Sequence, residues 1–538
     1  MTIPKTEIIT LDLSGSGGLA PRFFGDKAYQ ATSPNWWYRT VGGANQYTDG
    51  YLNPITFLGY MSPANNTFHS ISTTANIISA TTNDIVNSKG YFFEYTVNPT
   101  IYSIANYSAS GMSFNRTLTG EHEGTDLQEY TINGVRQLFY SYRGASTTGN
   151  IGIFDYTSTY DVDWLSTAPV NAFNLGKNNH KMVVADNGFM YVLDGSFVHK
   201  VDGTTAGGTD GTVTANVLSF PATTQLVDGL DLGGFLWIAL MENTLDLFAN
   251  STLGDGYTSK VGVYVWDRSS TVVSSIDFIP ISGCKTIRTL FSFRGQPACF
   301  TVSSDDFTQL RIYNGRSFEV VKELPPQAYP RFPDSVHITS EFINWIAKNG
   351  KFYSYGRVHQ TALDGLYRTG FTGSLNDSNG AMLSVDTASS SPSIEAYYLT
   401  FGTSIKKWFP HSVSSNIGGG ATVAHKPHAS NIYTLVQRLP KLSKLISITL
   451  FYPPIGSTGT DEVLKILMYF NQSSNAWASG GTVLTENDAI RGYKFIPVGE
   501  ANVHALQLKF VWDTDINLSA TITPSHAIVE YIPTNKKI

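Results

Sequence analysis

At 538 residues with a formal net charge of −6, the chain is too long for one hydrophobic core and too acidic to bind nucleic acid by neutralising phosphates. Only 14% of its residues are Asp, Glu, Lys or Arg, against about 25% in a typical soluble protein, while aromatic residues reach 13%. Gly, Ser, Thr and Asn supply the polar surface in place of charge, and with the β-branched and aromatic residues they make an all-β composition of strands and tight turns.

The N-terminus, Met1-Thr2-Ile3-Pro4-Lys5-Thr6-Glu7, has no charged stretch followed by an apolar run, so it does not read as a signal peptide. No segment approaches the roughly 18 uninterrupted apolar residues of a membrane helix. The expected location is therefore a cytoplasm, with release by a route such as cell lysis. Residues 1–70 are rich in Gly, Pro and Asn and weakly periodic, as at Gly15-Ser16-Gly17-Gly18 and Met61-Ser62-Pro63-Ala64-Asn65-Asn66, and read as an extended arm. Within the arm, Trp36, Trp37, Tyr38 and Arg39 stand out. They have two readings: a plug against the chain's own core, or anchors in a neighbouring subunit, where Trp, Tyr and Arg are the usual hot-spot residues.

Residues 71–440 repeat one unit: an apolar strand, a tight turn ending in Gly, and a second strand rich in aromatics. The clearest copy is Met182–Asp186, a turn at Asn187-Gly188, Phe189–Leu193, a turn at Asp194-Gly195, and Ser196–Val201. Another runs through Leu290–Phe293, Arg294-Gly295, Ala298–Val302, Leu310–Tyr313, Asn314-Gly315 and Phe318–Val321, and a third through Phe342–Ile346, Asn349-Gly350 and Phe352–Tyr355. Asn-Gly and Asp-Gly are strong hairpin signals because both central positions of a type I′ turn need positive φ. The first turn of each unit is expected near Gly90, Gly134, Gly188, Gly233, Gly295, Gly350 and His428. Four short strands per roughly 40–50 residues is the period of a propeller blade, and these turns predict about seven blades. No stretch has sustained helical periodicity with caps, which argues against an α/β barrel.

Two cysteines, Cys284 and Cys299, make no disulfide framework. A hairpin turning at Arg294-Gly295 sets Cys299 opposite roughly residue 291, so both are expected as free buried thiols. Residues 441–538 change pattern: Ile446, Ile448 and Leu450 alternate with Ser447 and Thr449, and Leu506, Leu508, Phe510 and Trp512 point one way. With Val463–Phe470, Tyr493–Val498 and Ala527–Ile532, this predicts a C-terminal β-sandwich.

The search for chemistry finds little. The Ser-x-Asp-x-Gly-x-Thr-Trp boxes of sialidase-type propellers are absent, and the nearest run, Ser303-Ser304-Asp305-Asp306-Phe307, lacks the Gly and Trp. Asp155, Asp161, Asp163 and Asp267 could supply a glycosidase's paired carboxylates, but their turn-like surroundings read as loop acids. His425 and His428 form the one close His pair, with no third ligand near them, so no metal is expected. Gly418-Gly419-Gly420 lacks the Lys-Ser/Thr of a phosphate loop, and Ser14-Gly15-Ser16-Gly17 lacks the strand-to-helix setting of a nucleophile elbow. The sequons at Asn106, Asn115 and Asn517 match chance in so Asn-rich a chain. No catalytic, cofactor-binding or metal-binding residue is assigned, and no cofactor is expected.

Taken together, the chain resembles the virion structural proteins of tailed bacteriophages. The resemblance rests on Gly17-Gly18-Leu19, on the run from Pro34-Asn35-Trp36-Trp37-Tyr38-Arg39 through Asp49-Gly50-Tyr51 to Gly59-Tyr60-Met61-Ser62-Pro63, on the low-charge blades, and on the closing Ala527-Ile528-Val529-Glu530-Tyr531. It implies a non-enzymatic tail component of nozzle, hub or tail-associated type, assembled in the host cytoplasm. Its expected partners are other tail proteins, further copies in a ring, and DNA in passing, without membrane insertion. Two other readings are weighed: a receptor-binding propeller recognising surface glycans, and a propeller glycoside hydrolase with carboxylates converging at the axis.

Overall fold

The computed structural model describes residues 5–13, 37–42, 68–73, 77–84, 89–94, 100–105, 113–117, 122–144, 148–156, 160–176, 180–204, 210–242, 260–330, 332–338, 342–349, 351–356, 365–372, 382–387, 394–401, 404–408, 430–434, 437–452, 464–471, 477–484, 486–512 and 524–534. Nearly all of them are strands. The first three are β1 (Glu7–Asp12), β2 (Trp37–Gly42) and β3 (Phe68–Thr73).

Four-stranded sheets then follow one another along the chain. The first holds β4 (Ile77–Asp84), β5 (Lys89–Glu94), β6 (Thr100–Ala105) and β7 (Ser113–Thr117). Next come β8 (His122–Ile132), β9 (Val135–Gly144), β10 (Gly149–Phe154) and β11 (Tyr160–Asp161), followed by β12 (His180–Val184), β13 (Phe189–Asp194), β14 (Phe197–Asp202) and β15 (Thr212–Ser219). The succeeding two sheets are β16 (Thr224–Leu232), β17 (Phe235–Glu242), β18 (Val261–Trp266) and β19 (Asp277–Pro280), then β20 (Cys284–Phe293), β21 (Gln296–Ser303), β22 (Phe307–Tyr313) and β23 (Phe318–Pro326). After these stand β24 (Val336–Ile338), β25 (Phe342–Ile346), β26 (Lys351–Gly356) and β27 (Gly365–Thr372). The last four-stranded sheet has β28 (Met382–Thr387), β29 (Ile394–Phe401) and β30 (Ser404–Trp408), and takes its fourth strand, β3, from the N-terminal part of the chain.

The fold is all-β and of β-propeller type. First strands adjoin from sheet to sheet: β4 lies by β8, β8 by β12, β12 by β16 and β16 by β20, while β24 lies by β28 and β28 by β4. The turns carry the dihedrals that the residues demand. Asn133-Gly134 has φ of 49° and 78°, Gly233-Gly234 64° and 81°, and Arg294-Gly295 50° and 76°, so both central residues are left-handed as in a type I′ hairpin. Arg294 tolerates this with its guanidinium 4.5 Å from the centre of the Phe293 ring. Two turn expectations need correction. Gly90 is within β5, paired with Ile104, and Asn349 belongs to the connection between the second and third strands of its sheet. His428 is outside the described residues.

The core lies between sheets, which explains why β13 and β17 are apolar along almost their whole length instead of alternating. Met190 and Val192 face Phe139 and Ile151 of the preceding sheet, whereas Tyr191 and Leu193 face Leu236 and Ile238 of the following one. Trp237, Ala239 and Val263 in turn meet Leu290 and Cys299. A strand covered on both faces buries every side chain, at about 1.5–3 kcal/mol for each large aliphatic one. Arg311 is one charged exception within these apolar layers. Buried to 8% exposure, it donates to Thr301 Oγ1 (3.1 Å), Phe318 O (3.1 Å), Ser282 O (3.2 Å) and Gln309 Oε1 (2.7 Å), all neutral acceptors. Both cysteines are free: Cys299 pairs with Leu290 in the ladder and is fully buried, while Cys284 pairs with Ser303 and is partly exposed, a correction to the expectation of two buried thiols.

By Cα proximity the chain divides into two compact units, one of His69–Lys351 with Gly373–Trp408, the other of Met1–Phe68, Phe352–Thr372 and Phe409–Ile538. In the second, β31 (Ser430–Thr434), β32 (Gln437–Phe451), β33 (Leu464–Phe470), β34 (Trp477–Leu484), β35 (Tyr493–Pro497), β36 (Val503–Trp512) and β37 (His526–Pro533) share a nine-stranded sheet with β1 and β2. The segment read as an arm therefore supplies two strands to the C-terminal sheet. Glu7 pairs with Tyr531 and Asp12 with His526, Tyr531 donates to Glu7 Oε2 (2.8 Å), and Leu11 and Leu13 are buried. The long β32 changes partners along its length, from β36 at Gln437 and Arg438 to β35 and β37 between Ser443 and Phe451. Leu464, Ile466, Met468 and Phe470 alternate inward on β33, as do Leu506, Leu508 and Phe510 on β36. Ile446 departs from the expected alternation. A register shift between Leu445 and Ser447 turns it outward and buries Leu445, Ile448 and Leu450.

Two short helices, α1 (Trp164–Thr167) and α2 (Glu486–Arg491), complete the described elements with 3-10 turns at Val273–Ser275 and Pro333–Ser335. Among the described residues no helix is long and apolar enough to cross a membrane.

Candidate functional site

The strongest concentration of buried charge stands on adjoining first strands: Asp126 on β8, Lys181 on β12, Asp228 on β16, and Arg288 with Thr289 on β20. Irregularities in the ladder place three of them. The register shifts between Gly124 and Asp126, between Leu226 and Asp228, and between Ile287 and Thr289. A bulge re-aims a side chain and bends its strand. Here it lets residues of one sheet reach the next.

Asp126, 1% exposed, accepts from the backbone N–H of Met182 on β12 (2.7 Å) and from Lys181 Nζ (3.0 Å). Asp228 repeats the arrangement one sheet further on but one. Its Oδ2 accepts from the N–H of Leu290 (2.8 Å) and the hydroxyl of Thr289 (2.8 Å) on β20, and its Oδ1 from the N–H of Gly229 (2.9 Å). Complete burial pushes the Asp228 carboxyl above the usual carboxylate range, and the Lys181 charge and these donors offset that only in part. Lys181 thus acts on a carboxylate to either side. Beyond them, the Arg288 guanidinium lies 4.3 Å from the centre of the Tyr329 ring, in cation–π range.

These bonds determine what the cluster does chemically. A general acid or base needs a carboxyl oxygen within reach of substrate, and both carboxylates here are turned onto the backbone of the following sheet. In each carboxylate one oxygen holds the backbone of the following sheet, so the arrangement is a row of staples between sheets.

The sequence-predicted acids lie elsewhere and do not converge on this row. Asp161 and Asp163 belong to one turn: the N–H of Asp163 donates to Asp161 Oδ1 (3.2 Å), and Asp163 Oδ1 accepts from Tyr142 Oη (2.6 Å) and Asn150 Nδ2 (3.4 Å). Partial burial and then the charges of Asp163 and Asp210 raise the Asp161 carboxyl, against the Asp163 N–H. Burial and Asp163 together raise the Tyr142 phenol. Asp267 caps its own loop through Ser269 Oγ (2.5 Å), Ser269 N (3.0 Å) and Ser270 N (3.1 Å), bonds that hold its carboxyl down at about 2. Asp155 is half-buried beside β10. The Ser303–Phe307 run is a tight turn, with Asp306 at φ 68° and Phe307 N–H bonded to Ser303 Oγ (3.1 Å). Among the described residues no group of three or more His, Cys, Asp or Glu is arranged to hold a metal ion.

Trp36, His425 and Gly418-Gly419-Gly420 are outside the described residues. Trp37, Tyr38 and Arg39 are described in backbone only, on β2, where Trp37 pairs with Thr434 and Arg39 with Tyr433 of β31. Sequence reasoning missed Asp126 and Asp228 entirely. The available signal was an Asp beside a large apolar residue within a first strand, Asp126 before Leu127 and Asp228 after Val227, since a carboxylate is buried only where partners meet it.

No family model matches the chain, and no curated protein matches it. Three solved structures with a similar course are remote in sequence. An exo-β-1,3-galactanase from Phanerochaete chrysosporium is 8% identical, with 87% of this chain and 99% of that one covered and a TM-score of 0.30. YCF48 from Cyanidioschyzon merolae is 7% identical, over 64% of this chain and 99% of that one, with a TM-score of 0.39. A glycoside hydrolase family 43 arabinoxylan arabinofuranohydrolase from Bacillus subtilis is 9% identical, over 88% and 99%, with a TM-score of 0.28. Likenesses at this level carry no inference about what this chain does.

Proposed function

We propose that the chain is a non-enzymatic structural component of a tailed-bacteriophage virion, a tail protein of nozzle, hub or tail-associated type. It works in a ring of copies, among other tail proteins, with DNA passing without being gripped. The observation that carries the non-enzymatic part is the commitment of Asp126 and Asp228 to backbone donors of the next sheet. The virion part is supported by the sequence resemblance and by a low-charge, turn-rich composition suited to a particle outside cells.

In this reading the seven four-stranded sheets form one ring of blades, supported by the succession of adjoining first strands, with β3 joining the sheet of β28–β30. The C-terminal strands form a sandwich, with β32 as the strand that turns the corner between layers. Trp36, Trp37, Tyr38 and Arg39 are its anchors toward a neighbouring subunit.

Mass spectrometry of phage particles purified from the source of this chain, separated into tails and filled heads, tests the proposal. The chain is expected in the tail fraction at six or twelve copies. Its absence from every particle fraction overturns the virion assignment, and release of reducing sugar from polysaccharides by the purified chain overturns the non-enzymatic one.

A further inference from the structure

A second group of titratable side chains, apart from the row on β8, β12, β16 and β20, sits where the connection leading from β11 reaches β12. His180 begins β12, Asp194 ends β13, and His199 lies on β14; all three are at most 5% exposed. Asp194 Oδ2 accepts from the N–H of Gly176 (2.7 Å), while His180 Nε2 donates to the carbonyl of the same residue (3.1 Å). Both polar backbone atoms of Gly176 are therefore clasped. The next residue back, Leu175, exchanges two backbone bonds with Gly149 of β10 (2.9 and 3.0 Å). The clasp is closely fitted: a Cβ on Gly176 would stand 2.9 Å from Asp194 Oδ1, and one on Gly149 2.3 Å from His180 Cε1.

The protonation states follow from the partners. Because the Gly176 carbonyl can only accept, His180 carries its proton on Nε2 and leaves Nδ1 bare. His199 Nδ1 accepts from the N–H of Asn216 (3.1 Å), which puts its proton on Nε2, 3.6 Å from Asp194 Oδ2. His180 Nε2 stands 3.6 Å from Asp194 Oδ1. His180 Nδ1 is buried without a hydrogen-bond partner, as are Asp194 Oδ1 and His199 Nε2. A proton added to His180 Nδ1 has no acceptor there.

We propose that His180, Asp194 and His199 form an acid-released latch that holds the connection into β12, at Gly176, against the sheet of β12–β15. The titratable and charged groups acting on His180 are Asp194 from β13, His199 from β14 and Arg143 from β9. Burial, then His199 and Arg143, hold the imidazole below its usual range against the pull of Asp194 and the Gly176 carbonyl. Burial alone would raise Asp194, but His199, His180 and the Gly176 N–H outweigh it and keep the carboxyl low. A histidine depressed in the folded state contributes stability that is present above about pH 6.5 and is lost as the pH falls toward the depressed value. Asp194 stays ionised through that window, since its own contribution is lost only below about pH 3.9. Release therefore begins with His180.

Hydrogen exchange of the full chain, read by mass spectrometry and corrected for intrinsic rates, tests this at pH 7.5 and 5.5. Peptides covering 170–176 are expected to lose protection by up to about tenfold per pH unit below about 6.5, while β13 keeps its protection. In His180→Gln, an amide can still donate to Gly176 but does not titrate, so the segment is expected to stay protected at both pH values. Exchange of the histidine C2 protons in the unmodified chain gives the midpoint of His180 directly and does not depend on the variant folding. The latch is overturned if residues 170–176 keep equal protection at both pH values, if the acid opening persists in His180→Gln, or if His180 titrates at the usual histidine value.

Discussion

Replacing Asp228 by Ala measures what one staple between blades is worth. The substitution removes the acceptor of Leu290 N–H and Thr289 Oγ1, both buried, with Thr289 at 1% exposure. Each donor left unpaired costs about 1–3 kcal/mol, partly offset because a carboxylate no longer has to be buried. The net expectation is a loss of about 3 kcal/mol. Scaling the specific unfolding entropy of globular proteins to a unit of roughly 300 residues gives about 1.5 °C per kcal/mol, so Tm falls by about 4–5 °C. Asp228→Asn keeps one acceptor oxygen for the two donors on β20 and turns its amide toward Gly229, so its cost is about 1–1.5 kcal/mol at neutral pH. The carboxyl is raised in the folded state, which gives the sign of the pH dependence: wild-type stability from this group is present below about pH 3.9 and is lost as pH rises through the higher folded value. The deficit of Asp228→Asn relative to wild type therefore narrows as pH rises. Scanning fluorimetry at pH 4, 5.5 and 7.5 reads both effects. A Tm for Asp228→Ala within 1 °C of wild type, or a deficit for Asp228→Asn that widens with pH, would refute the reasoning.

Gly149→Ala forces a Cβ to 2.3 Å from His180 Cε1, 2.7 Å from Gly176 O and 2.8 Å from Tyr142 O. Two of these atoms are backbone and cannot swing away, so a loss of about 2–3 kcal/mol is expected in denaturant titration. Arg311→Met leaves the carbonyls of Phe318 and Ser282 without a donor, and although it also frees the fold from burying a charge, a Tm drop of about 2–4 °C is expected. Burial pushes the Cys284 thiol up to about 11 and the Cys299 thiol higher still. Iodoacetamide at pH 8 is expected to leave both intact in the native chain and to label both after denaturation.

Much of the propeller is legible in the residues because its signals are local. Asn133-Gly134 and Gly233-Gly234 specify positive φ whatever surrounds them, and Phe189–Leu193 is apolar on both faces because any blade is covered on both. Arg294-Gly295 adopts the same turn without the usual Asn, and flanking strands identify it. The site is far less legible. Asp126 and Asp228 resemble ordinary polar interruptions until their acceptors meet Met182 and Leu290, about 60 residues on. The acids that stood out by composition are bound locally, Asp161 and Asp267 within their own turns and Asp163 by Tyr142 and Asn150 of the same sheet.

Strand identity, turn type and the apolar middle of each blade were set by the chain itself, since φ preference and side-chain period act over a few residues. Partner choice was left to the tertiary structure. Residues 7–12 carry a short apolar run like many others, and only a free edge on β37, more than 500 residues away, makes them a strand of the C-terminal sheet. The same holds for β3 beside β28–β30, and for His180, Asp194 and His199, three unremarkable positions until β12, β13 and β14 bring them around Gly176. Edge pairing and buried polar satisfaction depend on which donors and acceptors remain open after folding, and no local pattern encodes that.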